Sequence, residues 1–245
     1  MIKFFRKIRF NLMSENKIGK YLKYAIGEII LVVIGILIAL QINNWNENRK
    51  DQQVVKELYH NLISSLKTDS IAVVNIDSLI QCSLKRQELV LTSQPNELLI
   101  RYSNEELKGI VRDIWRGVYS FYPQMGIYNQ ILSSNLMKLI PSKEIKDGLR
   151  KYYDFTCTRV KVIDPIINDR YHIYFQNFIS EEIGMIVSDP LYEKILPPEF
   201  TLEKLELLKM ETINLYDLTY AVSSIFIDVK NDINSLLQLI SSEIN

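Results

Sequence analysis

The sequence predicts an all-α protein, with one N-terminal apolar helix leading into a bundle of four to six helices. Three observations carry that expectation. Residues 25–42 hold a single charge, and apolar residues further along recur at spacings of three, four and seven. No segment shows the alternation of period two that a half-buried strand requires. With 47% hydrophobic residues and eight glycines among 245, the chain has material for a core and lacks the bias of fibrous or low-complexity sequences.

The stretch AIGEIILVVIGILIALQI, from Ala25 to Ile42, rises about 27 Å as a helix, close to the ~30 Å of a bilayer's hydrocarbon. Ile29 to Leu40 has no polar face, which a core helix of a water-soluble protein would show. Tyr21, Tyr24 and Trp45 flank it where interfacial aromatics belong. The expectation is a transmembrane helix. Residues 1–24 carry seven Lys or Arg against Glu15 alone, so this end is expected in the cytoplasm. A cleaved signal peptide also begins with a basic region. Here the basic region is long, the apolar run exceeds a signal core and no small-x-small site follows Leu40, which favours an uncleaved signal-anchor. Ile2, Phe5, Ile8 and Leu12 share helical spacing, so residues 1–24 read either as an amphipathic segment on an anionic leaflet or as a basic tail that only sets topology. The residues after Ile42 hold 22 basic and 27 acidic side chains, which argues against a nucleic-acid surface.

Within the span, Gly35 and Ala39 each lie about 20° from the direction of Glu28, at 100° per residue. Gly35-x-x-x-Ala39 is a small-xxx-small pattern that lets helix backbones approach. Two readings of Glu28, Gly35 and Ala39 stand side by side: an oligomer face whose glutamate meets a partner helix or proton path, or a chance pattern with Glu28 snorkelling to the inner headgroups.

Residues 43–245 are expected to form a periplasmic helical domain. Its first helix or stalk, 43–93, carries Val55, Leu58, Leu62, Leu66, Val73, Ile76, Ile80 and Leu84 on one face until Gln94-Pro95-Asn96 breaks it. The central helices occupy 103–187. Ser103-Asn-Glu-Glu106 is a capping box opening a helix to about Arg116, and another helix runs near Gln124 to Ser134. Ser142 precedes a helix running to about Ile163, and Asp164-Pro165 reads as an N-cap with Pro at the first position of a restarted helix. Thr201 is expected to cap one long or two consecutive helices over 201–244.

Catalytic signatures are missing. His60 and His172 belong to no metal-binding spacing, and there is no nucleophile elbow, P-loop or dinucleotide fingerprint, so neither an enzyme nor a cofactor is expected. Cys82 and Cys157 fit either one bridge or two buried thiols. The aromatic set Trp115, Tyr119, Tyr122, Tyr128, Tyr152 and Tyr153 suits a ligand pocket or partner surface, and equally suits a bundle core.

The opening MIKFFRKIR…SENK…KYLKYAIGEIILVVIGILIALQINNWNE resembles a Bacteroidetes-type family of single-span membrane proteins of unknown function. The likeness continues in Tyr128-x-x-Ile-Leu-Ser-Ser134, in Leu136 to Ile140 and in Gly148-Leu-x-x-Tyr152-Tyr153, and fades in the last third. The resemblance implies an inner-membrane protein facing the periplasm and carries no activity. Three functions are expected: a membrane-anchored interaction or scaffolding protein, homo-oligomeric and with an envelope protein partner; a sensory module binding a small ligand at the aromatic region; or an accessory span in an ion-coupled complex through Glu28.

Overall fold

The computed structural model describes residues 18–186 and 199–244. The basic segment is thus largely outside the described residues, as are the side chains of Tyr21 and Tyr24 and most of the loop before Thr201. Among the described residues there is no strand, and the helices are α1 (Ile18–Thr92), α2 (Pro95–Arg101), α3 (Asn104–Trp115), α4 (Gly126–Ser133), α5 (143–183) and α6 (Leu202–Ile244). The chain divides into two compact units, Met1–Lys56 and Glu57–Asn245.

In the first unit the described residues form the start of α1. Ile29 to Ile34, Ile36, Leu37, Ile38, Leu40 and Ile42 are all exposed, and the segment is long and apolar enough to cross a membrane.

The second unit is built on two long helices with matching seams. From Leu62, α1 buries Leu66, Asp69, Val73, Ile76, Ile80, Ser83, Gln87 and Val90, with steps alternating between four and three. From Leu205, α6 buries Leu208, Thr212, Leu215, Thr219, Val222, Phe226, Val229, Ile233, Leu236 and Ile240 in the same rhythm. Alternating steps of three and four keep each buried stripe on one face of its helix. α6 packs against α5 along most of its length and against α2, while α3 meets α5.

The helix ends follow capping chemistry. Ser103 accepts from the Glu106 N–H while Glu106 reaches back to the Ser103 N–H at 2.8 Å. Ser142 accepts from the Ile145 N–H, and Thr201 from that of Lys204. α6 is one helix of 43 residues. The short α2 was not foreseen; Pro95 occupies its first turn, where a missing N–H costs nothing.

α5 corrects the expected restart at Asp164. The helix runs through Pro165, which lies inside the segment Cys157–Ile167, and Asp164 is not an N-cap. Instead the helix contains π segments at Lys151–Thr156, Asn168–Phe175 and Ile179–Ile183. Its buried residues explain them. Ile145, Leu149, Tyr153 and Cys157 are four apart, as are Ile167, Tyr171, Phe175, Ile179 and Ile183. In a helix of 3.6 residues per turn that stripe would drift about 40° at every step. π turns, closed by i→i+5 bonds, take more residues each and cancel the drift. Pro165 lies in the α segment between the first two of them and offers no N–H to the Lys161 carbonyl.

Two glycines mark close approaches. A Cβ on Gly148 would lie 2.9 Å from Leu236 Cδ2, and one on Gly117 only 2.1 Å from Ser83 Oγ. Gly117→Ala should therefore lower stability by about 1–3 kcal/mol in urea unfolding, because Ser83 must leave the Ile114 carbonyl. Gly109→Ala, whose Cβ meets nothing within 4 Å in mid-helix, should instead raise it by about 0.5–1 kcal/mol.

Candidate functional site

The residues singled out in the apolar segment sit on the surface of α1. Gly35 and Ala39 are exposed, with no other atom within 4 Å of a Cβ placed on Gly35, and Glu28 is half-buried. This face is open to a second helix.

The aromatic residues divide into three environments. Tyr128, Tyr152 and Tyr153 are core residues: Tyr128 stacks on Tyr153 with centroids 4.5 Å apart, and Tyr152 meets Tyr153 edge-on at 4.6 Å. Trp115 and Tyr119 flank His172 at 6.2 and 6.1 Å, so this histidine sits half-buried between rings. Tyr122 is 76% exposed. The six do not converge on one surface.

Polar residues that sequence reasoning passed over hold the core together. Asp69, 1% exposed, accepts the Tyr152 hydroxyl at 2.8 Å and the Gln124 N–H at 2.9 Å. Burial raises its carboxyl pKa above the ordinary 3.8, against the lowering effect of those two bonds. Burial, aided by the Cys157 and Asp69 charges, pushes the Tyr152 phenol well above its usual range. Further along, the Gln87 amide lies within hydrogen-bond reach of Ser83, Tyr171 and Thr219 (2.9, 3.1 and 2.9 Å), and Ser83 donates to the Ile114 carbonyl. Lys151 and Thr156 both donate to Asp232, and Arg170 pairs with Glu211 while lying 4.2 Å over the Tyr174 ring. The sequence signal for this set was positional: Asp69, Ser83 and Gln87 fall on the three-four rhythm of α1.

Both cysteines are free. Burial holds the Cys157 thiol up at about 12, and burial with the nearby Asp113 charge raises that of Cys82, so neither is an activated nucleophile. No three His, Cys, Asp or Glu side chains gather as a metal site among the described residues.

One cleft, of about 390 Å³, opens beside the aromatic stack. Phe121, Tyr122, Pro123 and Met125 line it from the connector between α3 and α4, and Tyr153, Cys157, Thr158, Lys161 and Asp164 from α5. Its lining is mostly apolar. Tyr153 Oη and Asp164 Oδ1 are buried without a hydrogen-bond partner among the described residues.

A model of a family described as a family of unknown function (DUF6090) matches residues 28–179. It takes in most of the apolar segment and every residue of the cleft, and stops short of α6. No curated protein and no solved structure matches the chain.

Asp69 gives a pH signature. A carboxyl whose folded-state pKa is raised contributes most below the unfolded value of 3.8 and loses that contribution as pH climbs through the raised value. Asp69→Asn cannot lose it. Urea unfolding should show the variant gaining on the wild type as pH rises above about 3.8. A pH-independent difference would mean that Asp69 is not the titrating group.

Proposed function

The chain belongs to the family of unknown function DUF6090, and on that premise we propose that it is a single-span inner-membrane protein whose helical domain serves in the periplasm as an interaction or scaffolding module. The observation that carries this reading is the bare apolar surface of α1: Ile29 to Leu40 exposes every large side chain, an arrangement that is stable in lipid and unfavourable in water. The seven basic residues before Ala25 put the amino terminus in the cytoplasm by the positive-inside bias. The role is binding, without chemistry of its own.

Two surfaces suit such a role. The Gly35–Ala39 face admits close approach of an identical helix, giving a homo-oligomer in the membrane. On the domain, α5 exposes Phe155, Val162, Ile166 and Ile173 at steps of seven, four and seven, an outward apolar stripe suited to an envelope protein partner.

Fractionation of cells expressing the full chain should place it in the inner membrane, with Trp45 onward open to protease only from the periplasmic side. Recovery in the soluble fraction, or cleavage only from the cytosol, rejects the anchor. Oxidative crosslinking of Gly35→Cys should trap a dimer, and a strictly monomeric product removes the oligomer. A photocrosslinker at Val162 or Ile166 should yield a discrete adduct; none at either position removes the partner surface.

A further inference from the structure

Roughly opposite its buried seam, α6 carries a second stripe. Positions 210, 213, 217, 220, 224, 227, 231, 234, 238 and 241 step by three and four residues, and all ten are exposed. The first part is largely apolar: Met210, Ile213, Tyr220 and Ile227 are between 49% and 66% exposed. The rest is amide and hydroxyl, with Asn231, Asn234 and Gln238 following Ser224. Asp217 is the one charge among the ten. A helix with one face in a core ordinarily turns charged side chains to water on the other. Loss of charge together with large apolar and aromatic residues is the compositional mark of an interface.

We propose that this outward face of α6 takes a second copy of the chain, the two α6 helices running parallel about a two-fold axis. Amides and hydroxyls both donate and accept hydrogen bonds, so each finds a partner in its own image, and the apolar positions cover one another. A charged face would repel its image instead. The parallel sense follows from the anchor. Within the domain α6 runs antiparallel to α1, since Asp77 meets Lys230, Gln81 meets Ser223 and Glu88 accepts from Tyr216. Copies whose α1 enters one membrane in the same sense therefore present α6 in the same sense. The size of the face also favours a second copy over a partner arriving from solution. It is about 46 Å long and about 10 Å wide, roughly 900 Å² for the pair, below the usual range of free-standing interfaces. Confinement to one membrane raises the effective concentration of copies enough for so small a contact to form. The parallel sense rests on the anchored reading; the surface itself is independent of the Gly35–Ala39 face.

The test uses the full chain in membranes of expressing cells, oxidised with copper-phenanthroline. Cys82 is first replaced by Ser, because its neighbour Gln81 reaches α6 at Ser223. Ser224→Cys and Gln238→Cys should each yield a disulfide-linked dimer, whereas Glu181→Cys, exposed on α5, should yield none. Asp217→Asn removes like charges that face each other and should raise the crosslinked fraction of Ser224→Cys by about threefold. Ile227→Glu should lower it by about tenfold while leaving urea unfolding unchanged, since the position is on the surface. Tyr220→Glu replaces it if that variant fails to accumulate. Absence of a dimer from Ser224→Cys overturns the surface, and a Gly35→Cys crosslink in the same membranes would leave the span oligomer standing. A dimer from Ser224→Cys with none from Gln238→Cys overturns the parallel pair, because antiparallel helices crossing at Ser224 hold the two Gln238 positions about 42 Å apart. Equal crosslinking with and without the introduced glutamate means chance collision and also overturns it.

Discussion

The side-chain amide of Gln87 fixes the register of the domain. It reaches Tyr171 on α5 and Thr219 on α6, and through Ser83 it connects to the Ile114 carbonyl on α3. Seams of Leu, Ile and Val alone permit sliding, because one apolar layer resembles the next. A buried amide does not: displaced by a turn it would face methyl groups, leaving four helices with unsatisfied donors and acceptors at about 1–3 kcal/mol each. Asp69 repeats the device about five turns earlier on the same face, holding Tyr152 of α5 and the backbone before α4. Once these two points are set, the position of the aromatic stack follows, and with it the cleft.

Much of the architecture was legible because it depends on local chemistry. The apolar face of α1 from Leu58 to Ile80, the capping box at Ser103 and the caps at Ser142 and Thr201 are all written in adjacent residues. What escaped notice involves polar residues in apolar positions. Ser83 and Gln87 are polar and do not belong to the apolar face drawn as far as Leu84, although the three-four rhythm of burial runs through them. Pro165 reads as a boundary because it removes a hydrogen bond, yet the helix runs through it within the segment Cys157–Ile167. The spacing of four from Ile167 to Ile183 was the available clue, since no ideal α-helix keeps such a stripe on one face.

The candidate site was less legible than the fold. Aromatic composition marked the right region, and Tyr122 and Tyr153 do line the cleft. Type alone could not separate a ring that closes the core from one that borders open space, because both need the same apolar body. Asp164 and Lys161, which give the cleft its polar character, were hidden in what looked like a helix start. The apolar segment is the reverse case: its character is evident from residue type, and its exposure in the folded chain agrees with that reading.

The wide turns of α5 have a consequence for how this chain tolerates changes in length. Removing one residue between Asn168 and Phe175 would turn a π turn into an α turn, which needs about one residue fewer, so the helix beyond it would keep nearly the same facing. Ile179 and Ile183 would stay in the interior, with the charged Glu181 and Glu182 still outside. A single deletion should therefore be absorbed better at a π turn than in the α stretch Cys157–Ile167, where it would rotate all that follows by about 100°.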